Sequence, residues 1–561
     1  MISDIFLDNL KTGTPWILKQ VNIRLLEDYA AREDGPVLHI ATHLSNLVKV
    51  SDRVTVRHSA GNALLALAPR LTVDQRNEVS VELSRGLELG QQEFAKYIPD
   101  YLGRFALWLP PEQLEELLAD LSQTLNAASG RMAASALDTV GVIYEEYDTY
   151  RTRFPEEPEA YRSRRERLLG MLMKRLAGGD GGTRQEAMFV LGRRVFGSGI
   201  LGEHEKRRAF LLTGRKLLET CYEEAEDPLT FYYRAAMLGR VYRFMTEQRL
   251  FHGGFPMEEP RPIAFFPGTF DPFTLSHKGI VHAIRDLGFE VYLAVDEFSW
   301  SKKAQPHLIR RQIVNLSVAG DFHVHLFPDD IPVNIANPAD LKRLRELFPG
   351  QEVYLVVGSD VVGHASSYQA DPRPWSIHSM NHIIFRRAGE PPLPSVDHLG
   401  ITGKVIQLQL PPHLEDISST RIRENVDMNR DISNLIDPVI QDFIYQNGLY
   451  LRDSQNKPVL GGGEVEFEWV EEPTEEMIQA LTAGRPDREA LRTGILRNRD
   501  RLLLLRRVED KGILGYVTYR YLSASQLFAA LRDTELANLI RLRSAGTTSS
   551  SPPCLPTRPT P

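Results

Sequence analysis

Two short segments of the chain hold residue types suited to gripping phosphate. In the first, Ile263 to Phe266 is an apolar run of strand type, Pro267-Gly268 breaks it, and Thr269-Phe270-Asp271-Pro272-Phe273-Thr274-Leu275-Ser276-His277 leads into a helix. His277, Ile280, Val281, Ile284 and Leu287 recur at helical spacing, which puts His277 in the first turn. An imidazole and several backbone N–H groups thus gather at the C-terminal end of a strand. Anions collect at such a place, because the first amides of a helix lack intrahelical acceptors and its N-terminus is partly positive. In the second segment, Ile417-Ser418-Ser419-Thr420-Arg421-Ile422-Arg423 follows a strand-like run, Lys404 to Leu410, and opens another helix. Its hydroxyls can satisfy orphan amides or donate to an anion, and an arginine fork binds two phosphate oxygens at once. Alone, each segment has an ordinary structural reading as a helix cap with a surface histidine or surface arginines. At the two ends of one α/β unit, they argue together for a nucleotide-phosphate site.

Gly268-Thr269-Phe270-Asp271-Pro272-x-Thr274-x-Ser276-His277, taken with Ile417-Ser418-Ser419-Thr420-x-Ile422-Arg423, resembles the paired motifs of the HxGH nucleotidylyltransferase superfamily, and within it bacterial nicotinate mononucleotide adenylyltransferase. The likeness runs over residues 262–451, about a third of the chain. It includes Leu355-Val356-Val357-Gly358-Ser359-Asp360, His382-Ile383-Ile384-Phe385-Arg386-Arg387 and a closing helix from Pro438 to Gln446. Two positions depart from the family's pattern. Thr274 stands where the family has His, as it does in phosphopantetheine adenylyltransferase, and a hydroxyl still bonds a phosphate oxygen. Ser276 replaces a Gly that lets a ligand approach the backbone, so it adds a side chain at a close contact.

The resemblance implies in-line attack by an acceptor phosphate on the α-phosphorus of ATP, with release of pyrophosphate. Such a reaction needs no enzyme nucleophile. The site aligns two anions and neutralises the charge that builds on the phosphoryl oxygens. Carried over by position, the catalytic residues are His277, Thr274, Lys302, Lys303 and Arg423, and the nucleotide contacts are Gly268, Thr269, Phe270, Asp271, Ser276, Gly358, Asp360, Ser418, Ser419 and Thr420. Mg²⁺ is expected with ATP, bridging phosphate oxygens, since no residues are spaced as a protein metal cage. Nicotinate mononucleotide is the expected acceptor. Pro332-Val333-Asn334-Ile335-Ala336-Asn337-Pro338 stands where that family has a Tyr-Thr-rich turn. This difference and Ser276 keep a second reading open, a nucleotide-binding scaffold or sensor without catalysis.

Positioning these residues requires a parallel sheet. Glu290 to Asp296, Phe322 to Phe327 and Glu352 to Val357 read as strands, the last almost wholly apolar, as in a strand buried on both faces. Arg311 to Ala319 and Pro338 to Phe348 read as the helices between them. Strands alternating with helices predict a Rossmann-like α/β domain over residues 262–451.

Residues 1–250 carry helical periodicity instead. Leu71-Thr72-Val73-Asp74-Gln75 recurs as Leu109-Pro110-Pro111-Glu112-Gln113, each opening an amphipathic helix, and Leu64, Leu67 and Leu71 correspond to Leu102, Phe105 and Leu109. A two-helix unit of this spacing predicts a HEAT-like solenoid that offers a surface to a protein partner, with an irregular helical bundle as the alternative since two units carry the repeat. Residues 464–544 predict a small α+β domain, with strands at Arg501 to Arg507 and Leu514 to Leu522, short for a complete catalytic unit. The Ser/Thr/Pro-rich stretch 545–561 is expected to be a disordered tail. The multidomain chain has 561 residues, 42% of them hydrophobic, and a net charge of −8, which argues against general nucleic-acid or anionic-membrane affinity. Its two cysteines, Cys221 and Cys554, fit a reducing compartment, and neither a signal peptide nor a bilayer-length apolar run is seen, so a cytoplasmic protein is expected.

Overall fold

The computed structural model describes residues 7–32, 36–88, 95–127, 130–178, 180–222, 228–255, 260–295, 304–386 and 400–451, and in the C-terminal part 465–470, 473–482, 492, 501–507, 512–521 and 554–556. Residues 1–452 form one compact unit and residues 453–561 a second.

The first unit begins with helices α1 (Trp16–Ala30), α2 (Val37–Val50), α3 (Val54–Leu67), α4 (Val73–Glu88), α5 (Ile98–Ala106), α6 (Pro111–Ala127), α7 (Gly130–Arg153), α8 (Pro158–Ala177), α9 (Gly181–Val190, continued by a π-helical turn Leu191–Phe196), α10 (Glu203–Tyr222) and α11 (Pro228–Phe251). The repeated sequence segments open α4 and α6. Leu64, Leu67 and Leu71 are buried, as are Leu102, Phe105 and Leu109, so matched positions serve one continuous apolar core.

The α/β part follows as β1 (Ile263–Gly268), α12 (Leu275–Asp286), β2 (Glu290–Val295), α13 (His307–Val318), β3 (Val324–Leu326), α14 (Pro338–Leu347), β4 (Val353–Gly358), α15 (Ser359–His364), α16 (Ser366–Gln369), β5 (Asn381–Arg386), β6 (Val405–Gln409), α17 (Pro412–Glu415), α18 (Ser419–Asp427) and α19 (Pro438–Gln446). Its strands make one sheet in the order β3-β2-β1-β4-β5-β6, every pair parallel. Alternate side chains of β1 and β4 enter opposite cores, as the pleat requires. Ala264, Phe266, Tyr354 and Val356 join Ile280, Ile313, Ile422 and Ile440, while Ile263, Phe265, Val353 and Leu355 join Leu341 and Leu344. Helices therefore cover both faces of a layered α/β domain, the Rossmann-like layout expected from sequence. Chain order reverses between β1 and β4, and in open parallel sheets ligands bind beyond the strand ends at that switch point.

The helical and α/β parts are tightly joined. Phe322 lies in the helical core and Ala177 in the core of the sheet. Gly170 of α8 meets Gly320, just after α13, backbone to backbone: a Cβ on Gly170 would stand 2.7 Å from the Gly320 carbonyl oxygen. Only glycine fits this crossing.

The second unit is an antiparallel sheet, β10-β9-β8-β7, built from β7 (Val465–Val470), β8 (Arg501–Arg507), β9 (Ile513–Tyr521) and β10 (Cys554–Pro556), with helix α20 (Glu475–Thr482). Leu481, Leu502 and Leu504 form its small core. Residues 554–556 pair with β9, within the stretch that composition alone reads as a tail. Among the described residues, no helix is long and apolar enough to cross a membrane.

Gly170→Val is expected to destabilise the first unit by about 1–3 kcal/mol through overpacking, measured by urea denaturation. His382 is fully buried, its Nε2 is 3.0 Å from Tyr368 Oη, and burial pushes its imidazole down to about 4. The unfolded chain then binds a proton that the fold refuses. Stability present above pH ~6.5 should fall as pH drops from about 6.5 to 4, by about 3 kcal/mol. His382→Gln should flatten that slope in denaturation curves taken across this pH range.

Candidate functional site

Thr274 is the N-cap of α12, because its extended backbone and side-chain oxygen suit the position. Its Oγ1 accepts from the His277 amide at 3.2 Å, while its own amide donates to His277 Nδ1 at 3.0 Å, closing a capping box. An amide N–H can only donate, so Nδ1 serves as the acceptor. The proton of the neutral imidazole is thereby assigned to Nε2, which can donate to an anion. Aromatic rings fix the imidazole further. Phe273 stacks on it at 5.4 Å between centroids, and Phe270 meets it edge-on at 5.3 Å.

Gly268 ends β1, and a Cβ there would come within 2.8 Å of the Phe270 ring. Phe270 itself takes a left-handed backbone, φ 46°, and is buried. Ser276, where sequence comparison within the motif raised concern, is also buried, so the fold already accommodates its side chain.

Three stretches of chain hold the loop 269–274. The Thr269 carbonyl accepts from Arg310 Nη1 of α13 at 2.6 Å. Asp271 Oδ1 accepts from Tyr450 Oη at 2.8 Å and from the Gln305 amide at 3.3 Å. From α18, Ser419 Oγ donates to the Pro272 carbonyl at 2.8 Å, and Arg423 Nη1 donates to the Asp271 carbonyl at 2.5 Å. The two sequence segments, some 150 residues apart in the chain, are therefore in direct contact. Ser418 caps α18 by accepting from the Arg421 amide at 3.2 Å, and Thr420 Oγ1 accepts from Arg423 Nη2 at 3.1 Å. Arg423 remains one-third exposed beside the α12 N-terminus that it helps to frame.

Gly358 ends β4 and begins α15, whose first turn holds Asp360. A Cβ on Gly358 would stand 2.3 Å from Asp360 Oδ1, so glycine permits that carboxylate's placement. Lys302 and Lys303 lie outside the described residues. Trp375 sits near Lys342 and Arg345, their cationic groups 5.9 and 5.4 Å from the ring centroid. Its ring is exposed and lies under these two cations of α14 rather than in a core. Among the described residues, no group of three or more His, Cys, Asp or Glu could hold a metal ion.

Sequence reasoning missed Tyr450 and the role of Arg310. Burial, and then the Asp271 carboxylate, push the Tyr450 hydroxyl far up, which keeps it a proton donor to that carboxylate. The position lies 179 residues from its partner, and no local spacing announces such a pair. Tyr450→Phe is expected to cost about 1–3 kcal/mol by leaving a buried acceptor less satisfied, read from thermal or urea denaturation.

A cytidylyltransferase-like family model matches residues 265–425, from within β1 to within α18, so it spans both contacting segments. A probable nicotinate-nucleotide adenylyltransferase of Chromobacterium violaceum is 26% identical over 216 residues, covering 34% of this chain and 98% of that protein. Another, of Rubrobacter xylanophilus, is 25% identical over 207 residues, covering 34% of this chain and 94% of that protein. Among solved structures, nicotinic acid mononucleotide adenylyltransferase of Plasmodium falciparum, complexed with APC, is 19% identical and covers 34% of this chain and 98% of that chain, with a TM-score of 0.28.

Proposed function

Since residues 265–425 form a nucleotidyltransferase domain of cytidylyltransferase-like type, we propose that the protein transfers an adenylyl group from ATP to nicotinate mononucleotide. An acceptor phosphate oxygen bonds to the α-phosphorus, the bond from that phosphorus to the bridging oxygen breaks, and pyrophosphate leaves. The observation that carries this reading is the contact of the two segments at one helix N-terminus. His277 and the first amides of α12 lie on one segment and Arg423 on the other, and their meeting at the loop 269–274 supports reading them as parts of one anion-binding position.

The chain's residues supply alignment and charge rather than a nucleophile. His277 donates to a phosphoryl oxygen and meets the charge that grows there in the transition state. Thr274 holds the imidazole in its donor tautomer. At the start of α18, Ser419, whose hydroxyl proton goes to the Pro272 carbonyl, would offer an outer phosphate its amide, Thr420 its hydroxyl proton, and Arg423 would close the clamp from its exposed edge. Asp360, after β4, would accept from a nucleotide hydroxyl. Mg²⁺ would enter with ATP and offset phosphate charge. Asp271 is already taken up by Tyr450 and Gln305, so the phosphates themselves would supply most of the ion's ligands. The acceptor assignment is supported by the relatives of Chromobacterium violaceum and Rubrobacter xylanophilus, both described as probable nicotinate-nucleotide adenylyltransferases.

Pyrophosphate release from ATP and Mg²⁺ tests the reading. Nicotinate mononucleotide, its amide and phosphopantetheine serve as acceptors, with CTP as an alternative donor. Release is expected with ATP and nicotinate mononucleotide, and His277→Ala should lower it on the order of 10²-fold or more while the circular dichroism spectrum is kept. Parental turnover by His277→Ala would refute the site. ATP binding without release under any acceptor would favour a nucleotide-binding scaffold.

A further inference from the structure

The amino acid after His277 leads to the other half of the unit. Lys278 Nζ donates to the Ser317 carbonyl at the end of α13 (2.8 Å) and to Asp437 Oδ2 (3.0 Å), and lies 3.4 Å from Asp321 Oδ2. Asp437 is the N-cap of α19, accepting from the Val439 amide at 3.2 Å, and it is buried. A second ammonium reaches the same carboxylate from the helical part: Lys174 Nζ of α8 is 2.8 Å from Oδ1 and 3.1 Å from Oδ2. Two residues before Asp437, the Leu435 carbonyl accepts from the Leu275 amide at 3.1 Å, in the first turn of α12. The segment 435–437 thus forms the back support of the turn whose front presents Thr274 and His277.

The charges on this support depend on one another. Burial would raise the Asp437 carboxyl, but Lys278 and Lys174 hold it below its ordinary value. Burial would lower Lys278, but Asp321 and Asp437 hold it above. Burial lowers Lys174, against the pull of Asp437. Removing one member leaves a buried charge under-compensated, and the others must shift to recover solvation or partners. Lys278 belongs to the first turn of α12, so any shift of its ammonium is passed to that turn.

We propose that Lys174, contributed by the helical part, is a positioning residue for the nucleotidyl-transfer site: it completes the coordination of Asp437, which through Lys278 fixes the orientation of the turn carrying His277. The helical part is then a structural component of the active site, beyond any partner it binds. This inference rests on the proposed role of His277. Lys216 of α10 provides the comparison. It is buried at the same junction and donates to the Val318 carbonyl at 2.8 Å; it feels Asp321 and Lys278 through charge, but among the described residues it makes no hydrogen bond to Asp437 or α12.

The test compares Lys174→Met, Lys174→Arg and Lys216→Met in the full chain, by pyrophosphate release, thermal denaturation and calorimetric binding of ATP. Both methionine variants should lower the melting temperature. Only Lys174→Met should lower kcat, on the order of tenfold or more, as misplacement of a phosphate-aligning group does. Lys174→Arg should restore most of it. Equal kcat for Lys174→Met and Lys216→Met would overturn the proposal, as would a loss in Lys174→Met that arginine does not relieve. Should the parent bind ATP without turnover, the adenylyl-transfer reading fails while this inference stays readable. Lys174→Met should then weaken ATP binding several-fold relative to Lys216→Met, and equal affinities would overturn it.

Discussion

A cleft that binds phosphate with backbone amides works only if the loop beside those amides is held still. In this protein that constraint falls on residues 269–274. The loop is tied at Thr269 by Arg310, at Asp271 by Tyr450, Gln305 and Arg423, and at Pro272 by Ser419. The capping box between Thr274 and His277 then transfers that rigidity to the imidazole. The ties come from three separate stretches of chain, 305–310, 419–423 and Tyr450, so the geometry at His277 depends on much of the α/β layer. Preorganisation of this kind is what electrostatic stabilisation of a phosphoryl group demands, since donors that must reorient during reaction lose much of their effect.

Much of this was legible in the amino-acid order because the signals are local. The apolar run of β4, the cap at Thr274 and the triple hydroxyl at 418–420 announce their elements within a few residues. Helix boundaries were less sharp. Arg311 reads as a start, whereas α13 begins at His307, directly after Pro306 at the N-cap. Long-range pairs left no trace in spacing: Tyr450 with Asp271, or Lys174 with Asp437. Such contacts depend on topology, and a Lys on a helix face looks the same in sequence whether it meets solvent or a buried carboxylate. Thr274 illustrates the reverse. In sequence it reads as a hydroxyl that bonds a phosphate oxygen in place of the family's His, and in the structure it is the cap that sets the histidine's tautomer.

The helical half read as a separate module from sequence, yet its packing is that of a partner in one unit. Gly170 and Gly320 meet at backbone distance, Phe322 and Ala177 cross into each other's cores, and Lys174, Lys216 and Arg215 all reach α/β residues. Small residues at the crossing allow close approach, and buried cations at the end of α13 meet its unpaired carbonyls. The combination joins a nucleotidyltransferase domain to an all-helical surface without a free hinge at α8. A ligand or protein on that surface would therefore act on a body that includes the proposed phosphate site.

The central claim is that this site breaks the bond between the α- and β-phosphorus groups of ATP and joins the α-phosphorus to an acceptor phosphate. Phosphorus-31 NMR of the full chain with ATP, Mg²⁺ and nicotinate mononucleotide reads that bond directly. The account expects the ATP resonances to give way to a dinucleotide diphosphate signal and an equal amount of pyrophosphate. Formation of ADP and orthophosphate instead, or an unchanged ATP spectrum while the nucleotide is demonstrably bound, would contradict it.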